Sequence, residues 1–333
     1  MKQLLNKVLQ GYILTADEAA TAMRGVLSGD APAEQTAALL ATLQMRGLHL
    51  TELQGFRLAL DESGQTIDLQ EFAPIDVCGT GGDGKHTFNI STLTAFVLAG
   101  AGVKVAKHGN YAATSGCGSS DVLQHLGLKF TADETALRRQ IAETNICYLH
   151  APLFQPALKA VAPIRKAIGF RTFFNSLGPL LNPARPLRQF IGVSDPATLR
   201  LYRYFLEDSG PAFAVVTTRD GYDEISLTAA FDVATNEGVT TYTPEDIGFP
   251  TVAAHELNNG ANIGQAAEQF LGILRGTSTP AQEAVVIANA AFALRLARPE
   301  KSLDECRKQA TESLRDGHAQ RCFIRLQTLS ATL

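Results

Sequence analysis

Four glycines fall within six positions of Asp76-Val77-Cys78-Gly79-Thr80-Gly81-Gly82-Asp83-Gly84, and no other feature limits the fold as tightly. A short apolar run, Ile75-Asp76-Val77, precedes them, and a hydroxyl-rich stretch, Thr87-Phe88-Asn89-Ile90-Ser91-Thr92, follows. This reads as a strand, a close turn and a helix start. Glycine lets backbone N–H groups approach a diphosphate without a side-chain clash, and a helix N-terminus adds partial positive charge. The same residues also read as a plain tight turn with Asn89 and Ser91 capping the next helix. Two familiar nucleotide motifs come close and fail. Gly79 to Lys85 spells G-x-x-x-x-G-K, but His86 stands where a magnesium-binding hydroxyl belongs. Gly79, Gly81 and Gly84 spell G-x-G-x-x-G, but no acidic residue follows about twenty positions on to hold a ribose.

The strand–turn–helix unit sits in a longer alternation. Ile75–Val77, Val103–Ala106, Ile146–Leu149, Phe190–Val193 and Ala212–Val216 are short apolar runs with helical stretches between several of them. Such alternation predicts an α/β domain with a largely parallel sheet. The first sixty or so residues read as helix alone: Thr15-Ala16-Asp17-Glu18 is a capping box, and Pro32 and Thr51-Glu52 open further periodic runs. Glycine and proline gather between Gly169 and Pro186, as at a sharp loop or hinge. Residues 262–275, 280–296 and 303–314 return to helical spacing. At 333 residues two domains are the first expectation, a helical one over 1–66 and an α/β one over 74–333.

A net charge of −4 provides no broad basic surface, which argues against a nucleic-acid partner. Five scattered cysteines, none in a C-x-x-C pair, suit reduced thiols in a cytosol. Without a secretory h-region or an apolar stretch of about 18 residues, the expectation is a cytoplasmic chain with no membrane segment.

Two further blocks carry chemistry. Lys107-His108-Gly109-Asn110-Tyr111-Ala112-Ala113-Thr114-Ser115-Gly116-Cys117-Gly118-Ser119-Ser120-Asp121 follows the run Val103–Ala106. Ligands collect beyond the carboxyl ends of strands in open α/β sheets, so this loop and the glycine loop can face one crevice. There Lys107 offers a full positive charge, and Thr114, Ser115 and Ser119 offer hydroxyls. Taken alone, Ser119-Ser120-Asp121 reads rather as a helix N-cap, and His108 as a structural histidine. Asp220-Gly221-Tyr222-Asp223-Glu224-Ile225-Ser226 places adjacent carboxylates at the start of a strand. Magnesium favours one or two carboxylates with substrate phosphate oxygens, although an acidic turn by itself is usually only solvated.

Together the blocks resemble the anthranilate phosphoribosyltransferase family, whose hallmarks are G-T-G-G-D, N-I-S-T, K-H-G-N and a D-E pair, here Gly79–Asp83, Asn89–Thr92, Lys107–Asn110 and Asp223-Glu224. The likeness extends to Arg165–Asn175 and Gly178–Pro183. It implies a nucleoside phosphorylase/phosphoribosyltransferase-like architecture, α/β with a small all-helical domain that also takes in about 170–190, and a homodimer joined through the helices. It further implies that Gly79, Gly82, Asp83, Thr87, Asn89, Ile90, Ser91, Thr92, Lys107, His108, Gly109, Asn110, Tyr111, Ala112, Ala113, Thr114, Ser115 and Ser119 hold phosphoribosyl pyrophosphate. Ser91, Asp223 and Glu224 would hold Mg2+. Gly79, His108, Asn110, Arg165 and Gly178 would line the anthranilate site, with Arg165 facing the carboxylate, although taken alone Arg165 reads as a surface arginine. The chain departs from the family's pattern at Tyr111, where arginine is common, at Gln155, where histidine is common, and at Ser226-Leu227-Thr228-Ala229-Ala230.

Overall fold

A computed structural model describes residues 1–112 and 117–332. Helices α1 (Lys2–Leu9), α2 (Ala16–Ser28), α3 (Ala33–Arg46) and α4 (Leu50–Ser63) open the chain. The expected capping box starts α2: Thr15 Oγ1 accepts from the Glu18 N–H, and Glu18 accepts from the Thr15 N–H at 2.9 Å. In α4, Glu52 is fully buried and is tied down by Arg46 at 2.6 Å and by the Leu14 N–H at 3.1 Å. A buried carboxylate needs such partners.

Seven strands form one sheet: β1 (Ile75–Gly79), β2 (Val105–Gly109), β3 (Ile146–His150), β4 (Arg188–Gly192), β5 (Ala212–Thr218), β6 (Phe231–Thr235) and β7 (Gly238–Tyr242). Their order is β3-β2-β1-β4-β5-β6-β7; the first five run parallel, and β6 and β7 add an antiparallel hairpin. The mixed sheet beside a helical N-terminal unit is the expected fold class. The chain steps outward from β1 to β2 and β3, then returns to the other side of β1 as β4. That reversal opens a crevice at the strands' carboxyl ends, where ligands of such sheets bind.

Two large apolar clusters cover the sheet, and a smaller one packs on Ala106, Cys147 and Leu149 of β2 and β3. One of the large clusters buries α5 (Ile90–Gly100) and the helix Pro280–Ala297. The other runs from α1–α4 through Phe173, Phe174, Leu177, Leu180 and Leu181 to Ile191 and Val215 on the sheet. Phe56 of α4 stacks on Phe173 with centroids 4.8 Å apart. The glycine- and proline-rich stretch therefore lies between the N-terminal helices and the strand ends. Among the described residues no helix is long and apolar enough to cross a membrane.

Candidate active site

The loop after β1 turns through left-handed backbone at Gly81, Gly82 and Gly84, with φ of 66°, 69° and 75°. Only glycine adopts these angles cheaply. The turn presses the loop onto Asp223: the Gly81 N–H donates to Asp223 Oδ2 at 2.6 Å, and a Cβ on Gly79 would lie 2.6 Å from the same oxygen. Arg171, from the glycine- and proline-rich stretch, donates to the Gly82 carbonyl at 2.9 Å and to Ser194 Oγ at 3.3 Å. At the start of α5 the Asn89 side chain makes no capping bond, so its buried Oδ1 has no partner, and the Ser91 N–H donates to Glu224 Oε1 at 3.2 Å. The capping reading of Asn89 and Ser91 is therefore not what the side chains do.

Asp223 and Glu224 are buried, at 6% and 8% exposure, with Asp83 close by: the Asp223 N–H faces Asp83 Oδ2 at 3.4 Å. Burial, then the Asp83 charge, pushes the Asp223 carboxyl up to about 7. Burial, then Asp223, drives Glu224 well above the usual carboxylate range. Neither lies at the start of a strand. The loop runs on to Phe231, because Asn289 takes the backbone of Ile225 out of any ladder: Ile225 N–H donates to Asn289 Oδ1 at 3.1 Å, and Asn289 Nδ2 donates to the Ile225 carbonyl at 2.9 Å.

Lys107 and His108 belong to β2 itself rather than to the loop after it, because β2 pairs with β3 as far as Gly109↔His150. Both are buried, at 2% and 3% exposure. Lys107 donates to the His108 carbonyl at 3.2 Å, and its charge favours the ionised forms of Asp76 and Glu224. Burial and the Lys107 charge depress His108 to about 3, so its ring is neutral at pH 7, with Nε2 buried and unpartnered. Asp121, at the third position of α6 (Ser119–His125), accepts from the Ala112 and Gly118 N–H groups, both at 2.8 Å. One carboxylate thus pins both edges of the second loop and caps α6, as the capping reading allowed. Tyr111 is half-exposed, and its hydroxyl donates to Gln124 at 3.0 Å.

Arg165 is not a free surface arginine. It is half-buried in the helix Ala162–Ile168, donates to Asn175 Oδ1 at 3.2 Å and lies over the Phe174 ring. Burial lowers its pKa. Gln155, buried at 5% exposure, has an unpartnered Oε1 nearby on the wall.

Most of these groups line one cavity of about 280 Å³. Its wall includes Gly79, Gly82, Asp83, Thr87, Asn89, Ile90, Ser91, Thr92, Lys107, His108, Gly109, Asn110, Tyr111, Ala112, Ser119, Arg165, Gly178, Asp223 and Glu224. Ala113, Thr114 and Ser115 lie outside the described residues. Sequence reasoning gave no role to Arg171 or Asn289, whose contacts span 89 and 64 positions of chain and leave no local signal. Chemically, the cavity wall brings together backbone donors, a helix N-terminus, a lysine, a buried acid pair, an arginine and apolar side chains.

The chain resembles known proteins over nearly its whole length. Residues 72–320 match a glycosyl transferase family, a/b domain, and residues 2–64 match the helical bundle domain of a glycosyl transferase family. The chain is 50% identical to an anthranilate phosphoribosyltransferase of Cytophaga hutchinsonii over 97% of its length and 98% of the relative's. It is 52% identical to that of Bacteroides fragilis strain YCH46 over 96% of both chains. The crystal structure of anthranilate phosphoribosyltransferase from Thermus thermophilus superposes with a TM-score of 0.90 at 33% identity, covering 98% of this chain and 99% of that one. The Saccharomyces cerevisiae enzyme, solved in complex with PRPP and Mg, shares the fold with a TM-score of 0.91 at 24% identity, covering 99% and 98%.

Proposed function

This chain belongs to the anthranilate phosphoribosyltransferase family, and on that premise we propose that its cavity is where a phosphoribosyl group passes from 5-phosphoribosyl-1-pyrophosphate to the amine of anthranilate, a step of tryptophan biosynthesis. The observation that carries this reading is the meeting of Asp223 and Glu224 with the glycine loop and the start of α5. Two buried acids with raised pKa values are poorly satisfied alone, and a hard cation shared with a diphosphate would relieve both. Ser91, Asp223 and Glu224 would hold that Mg2+. When bound, it would neutralise charge on the departing pyrophosphate.

The chain's own groups do the rest. Gly79, Gly82, Asp83, Thr87 and residues 89–92 present backbone and side-chain donors to the diphosphate, while Lys107 and Ser119 approach from β2 and α6. The family resemblance adds Ala113, Thr114 and Ser115 to the groups that would meet the same substrate. Arg165 meets the anthranilate carboxylate in a two-bond fork, between Gly178, Asn110 and the neutral His108. The amine nitrogen attacks C1 as the C1–O bond to pyrophosphate breaks, and the nitrogen then loses its proton to water or to the released pyrophosphate. An aromatic amine is already unprotonated near pH 7, so the site needs positioning and charge stabilisation rather than a strong base. Residues 1–66, with about 170–190, form the helical domain in this reading, 74–333 form the catalytic domain, and the protein works as a cytoplasmic homodimer.

Loss of anthranilate fluorescence on incubation with phosphoribosyl pyrophosphate and Mg2+ tests the reaction. Failure with anthranilate but turnover of another aromatic amine would move the acceptor and keep the phosphoribosyl half. Asp223→Asn with Glu224→Gln should abolish turnover without unfolding; wild-type rates at limiting Mg2+ would remove both residues from the metal site.

A further inference from the structure

Ser119, on the cavity wall, is the first member of a chain of hydrogen bonds that ends outside the cavity. Its Oγ lies 2.8 Å from the Tyr148 hydroxyl, which lies 2.8 Å from Ser120 Oγ, which in turn lies 2.9 Å from His150 Nδ1. Tyr148, Ser120 and His150 are buried, at 3%, 0% and 5% exposure. The imidazole cannot turn away: Phe130 stacks on it at 4.5 Å, and the Tyr111 ring meets it edge-on at 4.8 Å. The relay is also crowded from the strand side, since a Cβ on Gly109 would fall 2.2 Å from the Tyr148 hydroxyl and 2.5 Å from Ser119 Oγ.

Each hydroxyl has one proton to give. If Nδ1 is bare, Ser120 donates to it, Tyr148 donates to Ser120, and Ser119 spends its proton on Tyr148, turning lone pairs toward the cavity. If Nδ1 carries a proton, every bond can reverse: His150 donates to Ser120, Ser120 to Tyr148 and Tyr148 to Ser119. The Ser119 proton is then free, and the Asn110 carbonyl, at 3.3 Å, is within its reach. A phosphate oxygen has no proton to offer and needs a donor, so it selects the second arrangement.

We infer that His150 is a positioning residue for the phosphoribosyl substrate: its Nδ1–H, passed through Ser120 and Tyr148, turns the Ser119 hydroxyl outward as a donor. This rests on the reading above that Ser119 meets that substrate. Burial lowers the pKa of His150, with Asp121 as the opposing charge, so at pH 7 the ring is neutral and its tautomer carries the information.

The test compares steady-state constants of His150→Phe, Tyr148→Phe, His150→Asn and Ser119→Ala, each verified as folded by circular dichroism. His150→Phe and Tyr148→Phe each cut the relay and should raise KM for phosphoribosyl pyrophosphate at least threefold, with a smaller change in kcat and none in KM for anthranilate. If His150→Phe does not fold, Tyr148→Phe reads the same link. His150→Asn keeps an N–H on the Nδ1 side and should recover at least half of the loss. A ring that serves only as packing against Phe130 and Tyr111 predicts a defect in His150→Asn at least as large as in His150→Phe, and that result would overturn the inference. A raised KM in Ser119→Ala alone would overturn the relay and leave the Ser119 contact standing. An unchanged KM in Ser119→Ala would remove the contact, and the relay with it.

Discussion

Gly192→Ala perturbs the acid pair without touching either carboxylate. Gly192 ends β4 and pairs with Gly79 of β1. A Cβ added there would lie 1.7 Å from the Asp223 carbonyl oxygen and 2.7 Å from its carbon, whereas real Cβ contacts essentially never fall below 3.0 Å. The obstacle is backbone on both sides, so the loop around Asp223 must retreat by more than an ångström. That loop is also held by the Gly81 N–H, the Ser91 N–H and Asn289, so the shift carries the carboxylates out of line with the glycine loop and α5. A misplacement of about 1 Å costs on the order of a hundredfold in rate. Overpacking adds roughly 1–3 kcal/mol of destabilisation, a fall of several degrees in Tm for a domain of this size. The expected result is kcat/KM down about a hundredfold, a raised Mg2+ requirement and a cooperative thermal transition that persists at lower temperature. Gly25→Ala in α2 is the control, since its Cβ meets only Ala31 at 3.9 Å. Wild-type kcat/KM and Mg2+ half-saturation in Gly192→Ala would refute the claim that the β4 terminus sets the position of Asp223.

Arg165→Ala should raise KM for anthranilate about ten- to a hundredfold, the worth of a charge-assisted fork, and leave phosphoribosyl pyrophosphate binding nearly intact by calorimetry; equal loss of both substrates would argue against separate subsites. Lys107→Ala should weaken phosphoribosyl pyrophosphate binding and also lower stability by on the order of 3 kcal/mol, because it removes buried positive charge near Asp76 and Glu224; an unchanged urea midpoint would contradict that second role. The folded-state pKa values of Asp223 and Glu224 are raised, so their contribution to stability is fully present below the unfolded pKa and is lost as pH rises, for Asp223 through about 7. Tm of the Mg2+-free protein should therefore fall by a few degrees between about pH 5 and 8 relative to Asp223→Asn with Glu224→Gln, and Mg2+ should reverse the fall. Parallel curves for the two proteins would count against the assignment.

Much of the site was legible before any fold was known, because its parts are local. The glycine run announces its own left-handed turns, and K-H-G-N, N-I-S-T and the Asp223-Glu224 pair are contiguous in the chain. Helix caps such as Thr15–Glu18 and the five parallel strands follow from spacing and hydrogen-bonding chemistry that reach only a few residues. Where β2 ends was less legible: Lys107 and His108 look like loop residues until Tyr148 and Leu149 pair alongside and bury them. The strand expected at Ile225 failed for a similar reason, since Asn289 satisfies that backbone from 64 positions away. The β6–β7 hairpin did not stand out among the apolar runs, for the outer strand β7 is largely exposed and carries little hydrophobic pattern. By itself the sequence determined which chemical groups exist and which short turns they occupy, because φ limits, capping and periodicity act over neighbouring residues. Only the tertiary structure decided that Asp83, Asp223, Glu224 and Lys107 line one cavity, that Arg171 holds the Gly82 carbonyl, and that His150 reaches Ser119 through two hydroxyls. Burial, pKa and hydrogen-bond direction depend on what the rest of the chain brings within about 3–4 Å, and no local pattern encodes that distance.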